Sequence, residues 1–216
     1  MPAPRCSCCY DEAFDRAFVE RELRKYRRAG PGHASRALVD ALAAGGVEGL
    51  TVLDIGAGIG AVHQLLLERG ASSATDVDAS GPYLAAAREE AERRGIEARL
   101  TFVYGDFLEH VDGIDAADLV ALDRVVCCYG DVDALVRGAA AKTIRRLGIV
   151  MPPDGRLAAG VIGMLNLWQR LTGSAFRMHA HPHRRVNAAA AEAGLVPAGM
   201  AAVGIWRVLV FERLTD

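Results

Sequence analysis

The sequence predicts a doubly wound α/β fold: a mostly parallel sheet covered by helices on both faces and finished by an antiparallel C-terminal strand. Three observations carry that prediction. Short apolar runs alternate with longer stretches of helical periodicity along most of the 216 residues. A turn holding three glycines joins the first run to the helix behind it. Single aspartates stand at the ends of successive runs, where open α/β sheets bind their ligands.

From Asp11 to Arg28, Phe14, Phe18, Leu23 and Tyr26 recur at helical spacing among charges, and the glycines near Ala29–Gly32 end the pattern. His33–Ala44 reads as a second helix, closed by Gly45 and Gly46. Leu50–Ile55 is the first strand, Ala61–Arg69 its helix and Ser72–Val77 the second strand, which completes a βαβ unit. Pro82–Arg94 follows as helix, then Leu100–Tyr104 and Asp118–Leu122 as strands. Val132–Leu147 is predicted helical and Arg156–Ile162 a strand. Gly163–Phe176, rich in leucine, methionine and tryptophan, reads as an apolar cover. Helix Arg185–Ala193 leads to two closing strands, Ala198–Val203 and Ile205–Arg213, the last expected at the sheet edge.

Composition narrows the function. Hydrophobic residues make up 51% of the chain, ample for a packed core, and the formal charge of −2 gives no global pull toward nucleic acid or anionic lipid. The arginines and Lys25 between Arg21 and Arg28 interleave with acids, as on a solvated helix face. No apolar run reaches the roughly 18 residues that span a bilayer, so no membrane span is expected. The start lacks an apolar leader core, and five cysteines, two pairs of them adjacent, are poorly placed to bridge. A reducing, cytoplasmic setting is expected. All basic residues but Lys25 and Lys142 are arginine, a bias expected of a GC-rich bacterial genome.

The segment Val52–Val62, VLDIGAGIGAV, places Gly56, Gly58 and Gly60 between a strand and a helix, so that backbone can approach a ligand. Gly56, Gly58 and Ala61 also fit a dinucleotide fingerprint, with Asp76 or Asp78 about twenty residues onward. Asp54 decides between them. A carboxylate just before the first glycine would repel a diphosphate and welcome the ammonium of S-adenosylmethionine. The alternative for Asp54 is an acid that accepts from the turn amides. Asp78, ending the second strand, is expected to accept both ribose hydroxyls, with Asp76 its competitor. Asp106 and Phe107, after the third strand, are placed to accept from an adenine amino group and to stack on the ring.

With these motifs in place, residues 50–215 resemble the class I S-adenosylmethionine-dependent methyltransferases, on LDIGAGIG, DVDAS and GDF. That family implies a Rossmann-like sheet in which these positions hold the methionine, ribose and adenine parts of the cofactor. A narrower resemblance lies in DLVALDRVVCCY, FRMHAHP and WRVLVFER. These are similar to a bacterial subgroup akin to magnesium-protoporphyrin O-methyltransferase, although Gly130 replaces the proline usual there, and no porphyrin acceptor is carried over. Residues 1–46 are then expected to form a helical lid, with Tyr10, Tyr26 and His33 as contacts, over a cofactor-binding domain at 47–216.

Methyl transfer from a sulfonium is an in-line displacement with an activated donor, so positioning supplies about 7 to 11 kcal/mol of the barrier. A general base adds about 3 to 5 kcal/mol. Loops after the fourth and fifth strands carry the candidates, His181 first, then His179 and Tyr129. The bland role for His181 is to pin its turn by a backbone hydrogen bond. Asp123 is assigned to the cofactor side, or simply to pairing with Arg124. No metal is expected, although His179, His181 and His183 alternate and Cys6, Cys8, Cys9, Cys127 and Cys128 could gather a zinc ion. The expected reaction is methylation of a small or medium organic acceptor, at oxygen before carbon or nitrogen. Its rivals are an NAD(P)-dependent oxidoreductase and a non-catalytic partner subunit of the same fold.

Overall fold

A computed structural model describes residues 7–214 of the chain. Cys6, and the side chains of Cys8 and Cys9, lie outside the described residues, and with them the cysteine grouping considered above only as a possible zinc site.

The core is a seven-stranded sheet with order β3-β2-β1-β4-β5-β7-β6. Its strands are β1 (Thr51–Ile55), β2 (Ser73–Asp78), β3 (Leu100–Tyr104), β4 (Ala117–Asp123), β5 (Thr143–Met151), β6 (Leu195–Val203) and β7 (Trp206–Arg213). β1 to β5 pair in parallel, and β7 enters antiparallel between β5 and β6. The last strand is therefore interior, and β6 is the edge. The reason is burial: Val208, Leu209, Val210 and Phe211 are all covered, whereas β6 between Pro197 and Ala202 is exposed.

Strand alternation sends neighbouring residues to opposite faces. Val52 joins Leu38, Leu42, Leu66 and Leu67 of α3 (His33–Ala43) and α4 (Ala61–Glu68) in one apolar cluster. Leu53 and Ile55 join Leu135, Val136, Val186 and Ala189 of α7 (Val132–Ala141) and α9 (His183–Glu192) in another. α3 crosses β5 closely enough that a Cβ on Gly148 would lie 2.4 Å from a methyl of Leu38. On the first face, α2 (Arg16–Ala29) packs on α5 (Gly81–Arg94) through Val19, Leu23, Tyr26 and Ala86.

Three expected elements differ. The helix foreseen over Asp11–Arg28 is two, α1 (Ser7–Ala13) and α2, because Asp15 breaks the chain and caps α2 by accepting from the amide of Phe18 at 2.7 Å. The helix foreseen over Val132–Leu147 stops at Ala141, and Thr143–Met151 is β5. Its paired Arg145 and Arg146 look helical in sequence, yet Arg145 reaches Asp118 on β4 while Arg146 reaches Glu212 on β7. With that slot in the sheet filled, Arg156–Ile162 is not a strand but the first half of α8 (Arg156–Leu171). The short α6 (Phe107–His110) follows β3. Among the described residues no helix is long and apolar enough to cross a membrane.

Candidate functional site

At the carboxyl ends of β1 to β4 the structure holds a cavity of about 740 Å³. Its floor is the turn Gly56–Gly60. Gly56 stands at φ 63°, and a Cβ there would fall 2.5 Å from Val125 in the loop after β4, so only glycine lets the two loops pass. Three carboxylates line the cavity from consecutive strand tips: Asp78, Asp106 and Asp123.

Asp78 is nearly buried. One of its oxygens accepts from the amide of Gly58 and the other from that of Ser80, both at 2.8 Å. Burial outweighs these bonds and pushes its carboxyl up to about 6. Asp106 caps α6 through the amide of Leu108 at 2.8 Å and accepts the Tyr129 hydroxyl at 2.7 and 2.8 Å on its two oxygens. Phe107 is buried beside it and faces both cavity and core. Asp123 accepts the Ser35 hydroxyl at 2.5 Å and pairs with Arg124 at 3.1 Å. Arg124 takes a left-handed conformation, φ 63°, unusual for a side-chain-bearing residue.

Asp54 corrects an expectation. It is wholly buried, it is not part of the cavity wall, and its carboxylate accepts the backbone amide of His63 at 3.2 Å, with the His63 Nδ1 3.0 Å away. The physical reason is strand alternation: Asp54 shares the face of Val52, beneath α4, and braces the turn from below. Beside it in register stands Asp76, equally buried, whose carboxyl is pushed well above the usual range by burial and by the Asp54 charge. Asp76 therefore stands inside the sheet, its charged form disfavoured, and Asp78 is the β2 acid at the cavity.

His181 and His179 do not reach the cavity either. They line a recess of about 10 Å³ behind the loop after β4. The Nε2 of His181 lies 2.7 Å from the Tyr129 carbonyl and so donates to it, and the amide of His179 donates to the Cys127 carbonyl at 2.7 Å. Their rings stack at 5.7 Å, and burial lowers the affinity of both for a proton. His183 turns away, bonded to Pro152 and Asp154. Among the described residues no cluster of metal-binding side chains forms. Tyr129 does line the cavity, with its hydroxyl on Asp106.

The roof comes from the N-terminus. Tyr10, Phe14 and Phe18 face the cavity, and Phe14 lies 5.3 Å from Tyr83 and 5.4 Å from Phe176, ring to ring. Tyr10 donates to the Cys128 carbonyl at 3.1 Å, and Asp11 accepts the first amide of α5, at Gly81, at 2.7 Å. These bonds tie α1 to two strand-end loops across the cavity.

Residues 52–155 match the family model described as a methyltransferase domain. Over that segment, just under half of the chain, the protein is similar to a methyltransferase domain. Its fold is shared with magnesium protoporphyrin IX methyltransferase from Synechocystis PCC 6803. The structure with bound SAH superposes with a TM-score of 0.72 at 21% identity, covering 96% of this chain and 99% of that one. The structure with bound SAM gives 0.73 at 20% identity, covering 99% and 100%. An O-methyltransferase family protein from Burkholderia thailandensis gives 0.71 at 19% identity, covering 94% of this chain and 62% of that one. No curated protein matches the sequence closely enough to count as a relative.

Sequence reasoning missed Phe14, Phe18, Ser35, Tyr83 and Trp206 as cavity residues. Phe14 and Phe18 carry a signal, their helical spacing, which marks an amphipathic helix but not what its apolar face meets. Ser35 and Trp206 carried none, since each reaches the cavity only through packing of distant chain segments.

Proposed function

We propose that this methyltransferase takes its methyl group from S-adenosylmethionine and delivers it, at oxygen, to a small or medium organic acceptor of apolar, aromatic character. The observation that carries the reading is the ring of three carboxylates, Asp78, Asp106 and Asp123, around one cavity. Carboxylates only accept hydrogen bonds, so the ring fits a ligand whose polar groups donate: a ribose diol, an adenine amino group and an ammonium. A dinucleotide shares the first two, but in place of the ammonium it brings a diphosphate, which offers acceptors alone. The β7 insertion points the same way, because the dinucleotide sheet runs 3-2-1-4-5-6.

The residues fit the cofactor in detail. Each Asp78 oxygen keeps about one lone-pair site beyond its backbone amide, which suits two ribose hydroxyls. Asp106 keeps acceptor capacity beyond Leu108 and Tyr129, and Phe107 offers a ring beside it. Asp123, set by Ser35 and Arg124, serves the amino-acid end. Bound there, the cofactor supplies a methyl group already activated on a sulfonium. The chain's share is positioning and exclusion of water. α1, α2 and the start of α3 act as the lid, with Tyr10, Phe14 and Phe18 walling the acceptor space. His33 is the one imidazole in the wall among the described residues, and it replaces His181 and His179 as base candidate. Tyr129 orients Asp106, and the Tyr83 hydroxyl, its proton held more tightly by burial, stays neutral.

Titration of S-adenosylhomocysteine and of NAD against melting temperature tests this. At 100 times its dissociation constant the thioether should stabilise the protein by about 2.7 kcal/mol, and NAD should not. Stabilisation by NAD alone overturns the reading.

A further inference from the structure

α8 faces water with the wrong side chains. Of its 16 residues only Ile162 is buried. Leu157, Met164, Leu167, Trp168 and Leu171 are 85, 65, 57, 64 and 79% exposed. A surface helix ordinarily turns such residues to a covered stripe. Here the orientation is fixed from inside: the Asn166 amide donates to the Met178 carbonyl at 2.7 Å, and its oxygen accepts the Met178 amide at 2.8 Å. The apolar side is thus held outward. Ile205, 74% exposed, stands at the same end of the sheet, since Met151 of β5 pairs with Arg207 beside it.

Charge identifies the occupant. From Gly155 to Ala191 the chain holds Arg156, Arg170, Arg177, Arg184 and Arg185 and no carboxylate, in a molecule of formal charge −2. Arg177 is bonded to carbonyls of its own loop and Arg185 to Asp133, whereas Arg156, Arg170 and Arg184 are exposed. A second copy packed on this face would set arginine against arginine, the nearest acid in sequence, Asp154, being engaged by the His183 amide. An anionic bilayer suits both features. It takes leucine and tryptophan at the headgroup boundary and offers phosphates to the arginines.

We propose that α8 lies in the surface of an anionic membrane as a monotopic contact. Phe176 and Met178, on the return from α8, line the cavity, so the contact brings the cavity mouth to the lipid. The inference does not depend on the methyl-transfer reading. The test uses the full chain with phosphatidylcholine vesicles containing or lacking phosphatidylglycerol. W206F leaves Trp168 as the sole tryptophan. The protein should sediment with the anionic vesicles, shift Trp168 emission to the blue and release as salt rises. R156Q and R170Q should each weaken partitioning about fivefold. L167S and L171S should each weaken it at least about tenfold, with the melting temperature unchanged. Failure to bind anionic vesicles, or equal binding to neutral ones, overturns the proposal. So does a concentration-dependent dimer that buries Trp168 without lipid, which would give this face to a second copy.

Discussion

Asp78 shows how a single side chain can be poised for a ligand. Its two oxygens hold the amides of Gly58 and Ser80, so the carboxylate cannot swing away, while its remaining acceptor sites face the cavity. Asp78→Asn keeps the shape and removes the charge and one acceptor. A hydrogen bond to a charged group contributes about 1.5 to 3 kcal/mol, and two are weakened together. The expected result is a loss of about a hundredfold or more in affinity for S-adenosylhomocysteine, by calorimetric titration, with the circular dichroism spectrum unchanged. An affinity within a few fold of wild type would remove Asp78 from the ribose role. Asp54 is the contrasting case. Its residue type and position suggested a ligand contact, but the alternation of β1 turns it under α4, where it holds the His63 amide. Sequence shows that an acid precedes the glycines; it does not show which face of the strand that acid takes.

At the scale of elements, the N-terminal helices are tied to the sheet domain by bonds that include Tyr10 on Cys128, Asp11 on Gly81 and the Tyr26 hydroxyl on Gln64 at 2.9 Å. They contribute no strand, so the sheet does not need them to form. Removing residues 1–32 should leave a cooperative unfolding transition and lower affinity for S-adenosylhomocysteine at least about tenfold, because the ligand loses its water-excluding roof. Unchanged affinity would show that α1 and α2 are not a lid. The βαβ units from β1 to β3 were legible because glycine punctuation, apolar strands and charged helix faces agree there. The region 132–176 was not, for a physical reason. Alanine-rich α7 runs into β5 with one turn residue, Lys142, and the arginine pair in β5 is polar on both faces because each arginine finds an acid on a neighbouring strand. In sequence the apolar run of α8 then reads as the missing strand. Leu157, Val161, Met164, Leu165, Trp168 and Leu171 do follow helical spacing, but sequence does not show that this face stays uncovered, so its surface role emerges only with the fold in place.

Over the whole molecule, several buried groups bind protons differently in the folded and unfolded states, and their signs oppose. Asp78, raised to about 6, and Asp76, raised by burial and by the Asp54 charge, bind protons more readily once folded, so their contribution is greatest below the unfolded value of about 4 and falls as pH rises. His179 and His181 resist protonation, so theirs falls as pH drops below about 6.5. Glu90 is desolvated, but hydrogen bonds from Arg93, Arg27 and Arg94 hold it at about 2, outside the range between pH 5 and 8. A melting profile of the free protein therefore mixes opposing slopes and identifies no group. The difference between ligand-bound and free protein, set against the same difference in Asp78→Asn, does, because His179 and His181 lie outside the cavity and cancel and His33 is common to both chains, while the ligand requires ionised Asp78. Affinity for S-adenosylhomocysteine should be flat above pH 7 and weaken toward tenfold per unit below about 6. The stabilisation it confers should shrink accordingly between pH 7 and pH 5. In Asp78→Asn the residual stabilisation should lose this dependence. A pH-independent difference in the wild-type chain would show that the ionised Asp78 carboxylate is not what holds the ligand.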